Sequence, residues 1–500
     1  MNRILLALLI IAGAFLRVRL ALDRPLWDDE LWQRFVTRDA GYLDLLLWRH
    51  DELVHPPLSF ILNKLCCDLF QSDAAWVWRL PSLIAGVLCI PAGFALGKKL
   101  GSPALALGIA AMLAFDPNTA WESTNARMYA MLALGTLVLI QLALPLFDER
   151  EISWRRASLL GFGLAALIWT HMLAVLPWTA VGLTAVLLLF RRDTPRHVAS
   201  NFAIAFGVAC LLGSPGLARF FAVRDGVGAA VPGRTPAEIS HLLYWITNLL
   251  VWIEVRFISP LVLALSFAGA AAMVRRYRAA SLLILALGLL TALSQIHLLR
   301  THPFSVMRYL IPAQPILWIG LPFLLLIAPP PRLRAITTAV FCLFLGVQAW
   351  NCTRLESTYG TVSSNVRESR AFVGAVDFVK ANKSASDAVA YLPHDRFAYR
   401  GEYFGLPASE SIGGPAFPTA PRFPKPNPTP APLDAPAAWI IKRVHLHSNP
   451  SIEEETLFDR MVEHYRPTHD GPDALGASVD HWLIIRIARD GITARTFPIE

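Results

Sequence analysis

Long apolar runs separated by short charged loops dominate the first 350 residues. Runs able to cross a bilayer, or nearly so, fall at 4–22, 79–97, 103–116, 128–147, 157–170, 172–190, 198–213, 258–274, 279–297, 306–327 and 334–350. A helix needs about 20 apolar residues to span the hydrocarbon core, so the pattern predicts about eleven transmembrane helices, several tilted or partial. His171 divides two runs so closely that the chain must turn sharply there. Past residue 351 the pattern changes. RESRAFVGAVDFVKANK reads as an amphipathic helix, DAVAYLP and AAWIIKRVHL as strands, EEETLFDRMVEHY as a helix and HWLIIRIA as a final strand. The expected fold is a polytopic α-helical membrane protein over 1–350, followed by a small α/β domain over 351–500. A proline-dense stretch at 414–436 reads as an extended insert in that domain.

The charges in the loops orient the helices. Lys98 and Lys99, then Arg150, Arg155 and Arg156, then Arg191, Arg192 and Arg196, then Arg275, Arg276 and Arg278, then Arg332 and Arg334 occupy every second loop. Basic loops stay cytoplasmic, so the N-terminus is expected inside, with the loops at 23–78 and 214–257 and the tail outside. The first segment lacks a small-residue cleavage site and runs on into Arg17 and Arg19, which reads as a retained span. The expected setting is a bacterial plasma membrane, with the C-terminal domain extracytoplasmic.

Composition agrees. The 500 residues are 55% hydrophobic and 16% charged, with a mean hydropathy of +0.46. A soluble domain carries about 25% charged residues. The net charge of +8 suits basic loops; no basic helix or aromatic–basic repeat points to nucleic acid. Cys89, Cys210 and Cys342 lie inside apolar runs, Cys66 and Cys67 are adjacent, and Cys352 stands alone. This is no disulfide framework and no zinc pattern.

Six arginines then stand out on the side expected to be external: Arg17, Arg19, Arg24, Arg127, Arg300 and Arg308. Orientation gives no reason for them. They either snorkel to the interface or bind an anion at the outer surface. The first outer loop adds WDDELW, with Asp28, Asp29 and Glu30 in a row. Such acids either cap the following helix or carry chemistry. The loop holds two amphipathic stretches, LWQRFVTRDAGYLDLLLWR and PPLSFILNKLCCDLF, joined at HPPL. Its double proline ends one helix and starts another, which holds His55 at a stiff corner. His171 fits either a functional or a hydrogen-bonded structural residue, and Tyr129 and Tyr309 suit an aromatic belt.

An early acidic pair, then HPPL, then RLPS (79–82), then NARMYA (125–130), with THM (170–172) and MRYLIPAQP (307–315) further on, resembles the GT-C superfamily of lipid-linked-sugar glycosyltransferases. The resemblance is nearest to the protein O-mannosyltransferase and aminoarabinose transferase branch and covers about residues 1–350. It implies a polyprenyl-phosphate sugar donor, an extracytoplasmic acceptor (lipid, glycan or protein) and transfer on the outer face. It implies that Asp29 is the catalytic base, with Glu30 its pair and Asp28 an extra neighbour. His55 stands where relatives carry a His or Lys near the donor phosphate. Relatives often have an acid two residues before the Arg of the RMY motif. Here that position is Asn125, and Glu122 lies about one turn earlier as a substitute.

The chemistry needs this set. An acceptor hydroxyl attacking the anomeric carbon must lose a proton to a carboxylate, and the departing phosphate gains charge that cations stabilise. The expected catalytic group is Asp29, Glu30, Asp28 and Glu122. The expected phosphate-binding group is His55, Arg127, Arg308 and Arg17. No metal motif is visible; no cofactor is required, and a divalent cation remains compatible. Two rivals stay open: a transporter or flippase for a lipid-linked substrate, and a non-catalytic assembly protein that keeps the fold.

Overall fold

A computed structural model describes residues 2–22, 24–47, 55–147, 151–190, 197–226, 258–301, 307–355, 360–392, 437–444, 481–488 and 491–498. The chain forms two compact units. One comprises 1–23, 41–49 and 53–355; the other comprises 24–40, 50–52 and 356–500. The change of unit near 355 lies close to the change of sequence pattern. The segment around WDDELW, however, groups with the tail.

In chain order the helices are α1 (Asn2–Leu22), α2 (Asp28–Arg38), α3 (Tyr42–Leu46), α4 (Leu58–Phe70), α5 (Ala75–Lys99), α6 (Pro103–Phe115), α7 (Pro117–Ser123), α8 (Tyr129–Phe147), α9 (Trp154–Thr170), α10 (Val175–Leu189), α11 (His197–Gly226), α12 (Ile258–Ala272), α13 (Arg278–Thr301), α14 (Pro331–Thr353) and α15 (Gly360–Asn382). A 3-10 segment, Met307–Ala313, and two π-helical turns, Ile316–Gly320 and Phe323–Ile327, lie between α13 and α14. Nine helices among the described residues are long and apolar enough to cross a membrane. Each of the eleven predicted runs is helical, but α6 has 13 residues and α9 has 17. Thirteen residues rise about 20 Å, short of a core about 30 Å thick.

Caps explain the short α6. Ser102 precedes Pro103 and its side chain accepts the Leu105 N–H at 3.2 Å. Asp116 precedes Pro117 and accepts the Thr119 N–H at 3.1 Å. An oxygen-bearing cap followed by proline at the first helical position starts a helix, so α7 begins anew directly after the run at 103–116 ends. All seven residues of α7 are buried.

The apolar core of this unit draws on α5, α6, α8, α9, α10, α11, α13 and the π-helical region, with Leu113, Leu132, Leu164, Val181, Leu287 and Trp318 among its members. Two backbones touch where side chains are absent. A Cβ on Gly320 would lie 2.2 Å from the Ser266 carbonyl oxygen, so only glycine lets the π-helical turn meet α12. The predicted turn at His171 is present. The backbone there is extended (φ −157°, ψ 143°), α9 ends at Thr170, and a 3-10 turn at Met172–Ala174 leads into α10. The expected loop at 214–257 differs, because α11 continues to Gly226. Residues 227–257, with Glu254 and Arg256, lie outside the described residues, as do the proline-rich insert at 414–436 and the predicted helix at 453–465.

The second unit contains a four-stranded sheet in the order β1 (Ala388–Leu392), β2 (Ala437–Val444), β3 (His481–Ala488), β4 (Gly491–Pro498). β1 and β2 are parallel, and the other two pairs are antiparallel. Three strands match the sequence reading and β4 was not foreseen. Phe372, Ala375, Val376 and Val379 recur at helical spacing on α15 and are buried, as are Val389, Trp439, Ile484 and Ile485 of the sheet. Trp439 Nε1 donates to Asp387 Oδ2 at 2.9 Å, and the same oxygen accepts the Ser384 N–H at 2.9 Å.

Candidate active site

The motifs HPPL, RLPS, NARMYA and THM are linked by contacts within the first unit. Arg79 of RLPS donates to the Ala21 carbonyl at 2.6 Å and so satisfies the last turn of α1. Ser82 of the same motif donates to the Arg127 carbonyl at 2.5 Å, which ties α5 to NARMYA. Asn63 of α4 donates to the Trp78 carbonyl. The two motifs are therefore parts of one hydrogen-bonded frame.

Arg17 belongs to that frame, which corrects its expected place beside a phosphate. It is fully buried. Its Nε donates to Ser123 Oγ at 3.3 Å, Nη1 to the Gly13 and Ala114 carbonyls at 3.0 Å each, and Nη2 to the Leu113 carbonyl at 2.8 Å. The planar fork closes the C-terminal carbonyls of α6, which have no partner within their own helix. Gly86 makes room for this. A Cβ there would sit 1.8 Å from Ser123 Oγ.

NARMYA begins in the bend between α7 and α8, and its helix starts at Tyr129. Asn125 and Glu122 come together: the amide donates to Glu122 Oε2 at 3.3 Å, and both are buried. Arg127 is also buried, at 4% exposure. Behind this bend Asp116 accepts from Thr119 and from Trp318 Nε1, the latter at 3.2 Å.

Next along the chain, the Tyr129 ring leads to an imidazole pair. Tyr129 and His171 have ring centroids 4.9 Å apart, and His171 stacks on His55 at 5.6 Å with 28° between planes. Tyr309 lies 6.3 Å from Tyr129. His55 is held as HPPL predicts, in a bend ahead of Pro56 and Pro57, with α4 starting at Leu58. Neither His171 nor Tyr309 was among the expected site residues. The signals for His171 were its intramembrane position and its place in THM; its contact with His55 spans 116 positions and leaves no local trace.

The first-loop acids lie on α2, in the second unit. Glu30 is buried and accepts the Trp27 N–H at 3.1 Å, which makes it a reciprocal cap at the third helical position. Asp29, one residue earlier, is half-buried and does not serve that bond. The side chains of Asp28 and Arg308 lie outside the described residues; the Arg308 backbone is in the 3-10 segment. Among the described residues no group of three or more His, Cys, Asp or Glu is arranged to hold a metal ion.

No family model matches the chain, and no curated protein matches it. Solved structures do. ArnT from Cupriavidus metallidurans bound to undecaprenyl phosphate is 15% identical over 80% of this chain and 75% of its own, with a TM-score of 0.49. The archaeal oligosaccharyltransferase AglB from Archaeoglobus fulgidus, in complex with an inhibitory peptide and a dolichol-phosphate, is 11% identical with a TM-score of 0.48. The alignment covers 81% of this chain and 60% of AglB.

Proposed function

We propose that this multi-pass membrane protein is a glycosyltransferase that moves a sugar from a polyprenyl-phosphate donor to an extracytoplasmic acceptor, with inversion at the anomeric carbon. The observation that carries the reading is the contact among these motifs. His55, His171, Tyr129 and Tyr309 gather together, in the same frame as buried Arg127 and the Glu122–Asn125 pair. A buried guanidinium and an imidazole beside a large apolar bundle suit a phosphate carried on a hydrocarbon tail.

In this reading the acceptor oxygen attacks the anomeric carbon as the bond from that carbon to the phosphate oxygen breaks. The acceptor proton passes to a carboxylate, and polyprenyl phosphate departs. Asp29 is the base, as the first-loop motif implies, and Glu30 caps the start of the helix at Trp27. Asp28 supports the local negative field. Arg127, His55 and Arg308 receive the charge that builds on the phosphate. Glu122, oriented by Asn125, serves as the second acid. Arg17 has no part in the reaction. No cofactor is needed, and the dependence on a divalent cation is read by adding a chelator. The bacterial plasma membrane, with the N-terminus inside and the tail outside, completes the reading.

The test is turnover of labelled polyprenyl-phosphate sugars by purified full-length protein and by Asp29→Asn, with polyprenyl-phosphate binding measured alongside. Transfer or hydrolysis that vanishes in the variant while binding survives supports the reading. Wild-type protein that binds the lipid phosphate yet turns over no donor favours a transporter or an assembly protein instead.

A further inference from the structure

We propose that His171 is a positioning residue for His55, a rigid ring against which the loop imidazole is set to meet the donor phosphate. The inference rests on the transferase reading and names a residue that the motifs alone do not assign. Three backbone-linked bonds fix His171. Its N–H donates to the Leu167 carbonyl at 2.9 Å, its carbonyl accepts the Ala174 N–H at 3.0 Å, and its Nδ1 accepts the Leu173 N–H at 2.8 Å. An imidazole nitrogen that accepts a hydrogen bond carries no proton, so the proton sits on Nε2 and the ring is neutral while that bond holds. The ring is 3% exposed and lies against Tyr129 at 4.9 Å and His55 at 5.6 Å.

His55 has the opposite character. It sits in a loop bend, partly exposed, with two prolines after it. A side chain on a loop is placed within catalytic tolerance only when a rigid element supports it. The α9–α10 corner is such an element, and the near-parallel rings make the contact. A neutral ring beneath His55 also leaves the positive charge to His55 when an anion arrives, whereas two facing imidazoliums would repel.

Two substitutions separate positioning from simple helix capping. In His171→Asn, the side-chain oxygen replaces Nδ1 as acceptor for Leu173 and the ring is lost. In His171→Phe the ring is kept and the cap is lost. Polyprenyl-phosphate affinity is measured on full-length protein in nanodiscs, with thermal melting as the fold control. Positioning predicts that His171→Asn melts like wild type but binds about five- to tenfold more weakly, the range of one aromatic contact. Because His55 also meets the charge that builds as the phosphate departs, kcat should fall as well as KM rise. His171→Phe should melt lower but, where folded, bind more tightly than His171→Asn. On a His55→Ala background the Asn substitution should cost nothing further. Wild-type affinity in His171→Asn, or the reverse order of the two variants, overturns the proposal and leaves the transferase reading standing. Wild-type protein that binds no polyprenyl phosphate overturns both.

Discussion

Asn125 donates its side-chain amide to the Glu122 carboxylate at 3.3 Å, and both are buried in the stretch that leads into α8. An acid at position 125, as the resemblance would have it, would face another carboxylate at that distance. Asn125→Asp therefore raises the pKa of one of the two, because neighbouring like charges disfavour ionisation. The folded state then holds a proton that the unfolded chain releases, so stability falls as pH rises above the ordinary carboxylate range. Melting temperature relative to wild type should drop between about pH 5 and pH 8. A constant difference across that range would separate the two side chains.

Arg17→Met removes four hydrogen bonds and strands the α6 carbonyls in an apolar interior. Leaving a buried acceptor without its donor costs about 1–3 kcal/mol. Folded yield and melting temperature should fall sharply. Arg17→Lys should recover part of the loss, since one ammonium cannot reach all of those acceptors at once. If folded Arg17→Lys loses lipid-phosphate binding while its melting is unchanged, the residue returns to the site.

Gly86→Ala brings a methyl to within 1.8 Å of Ser123 Oγ and 2.4 Å of its Cβ. Helix α5 must then move from α7, and overpacking of this kind costs about 1–3 kcal/mol. Adding Ser123→Gly removes both atoms and should restore most of the melting temperature. Failure of that second change to help would mean that the obstruction lies elsewhere.

In the second unit, Trp439→Phe keeps the aromatic bulk and deletes the N–H that Asp387 accepts. Leaving a buried carboxylate short of a donor costs about 1–3 kcal/mol. Amide exchange along β1 and β2 should quicken, and Asp387→Ala added to Trp439→Phe should cost much less than the two changes summed. Strict additivity would show that the bond contributes nothing.

The parts legible from sequence were those encoded by neighbours in the chain. HPPL predicted the start of α4 and the bend at His55. The apolar runs flanking His171 predicted its sharp turn, and the alternation after residue 386 predicted three of the four strands. The run at 103–116 predicted α6 to within one residue, but hydropathy did not register the capped start of α7 just after it. The role of Arg17 was misjudged for a different reason. A cation near the end of an apolar run reads the same whether it meets a phosphate or a carbonyl, and its partners lie almost 100 positions away. The stacking of His55 on His171 is likewise a property of packing. The resemblance already set Asp29 apart from Glu30, and the bond from the Trp27 N–H to Glu30 is a local contact that the sequence reading did not specify.

The distance in sequence between Arg17 and its acceptors also sets an order of events during synthesis. The first helix emerges from the ribosome carrying a guanidinium with one acceptor at hand, the Gly13 carbonyl, while those of Leu113 and Ala114 have not yet been made. At about 5–20 residues per second, those carbonyls follow about 5 to 20 s later. Through that interval the helix holds a charge that costs about 2.5–3.5 kcal/mol at a bilayer centre, less near its edge, against the gain from its apolar residues. The favourable place for it is beside the insertion channel, where water and polar groups remain within reach. The expected outcome is that the first helix leaves for the lipid only once α6 has arrived.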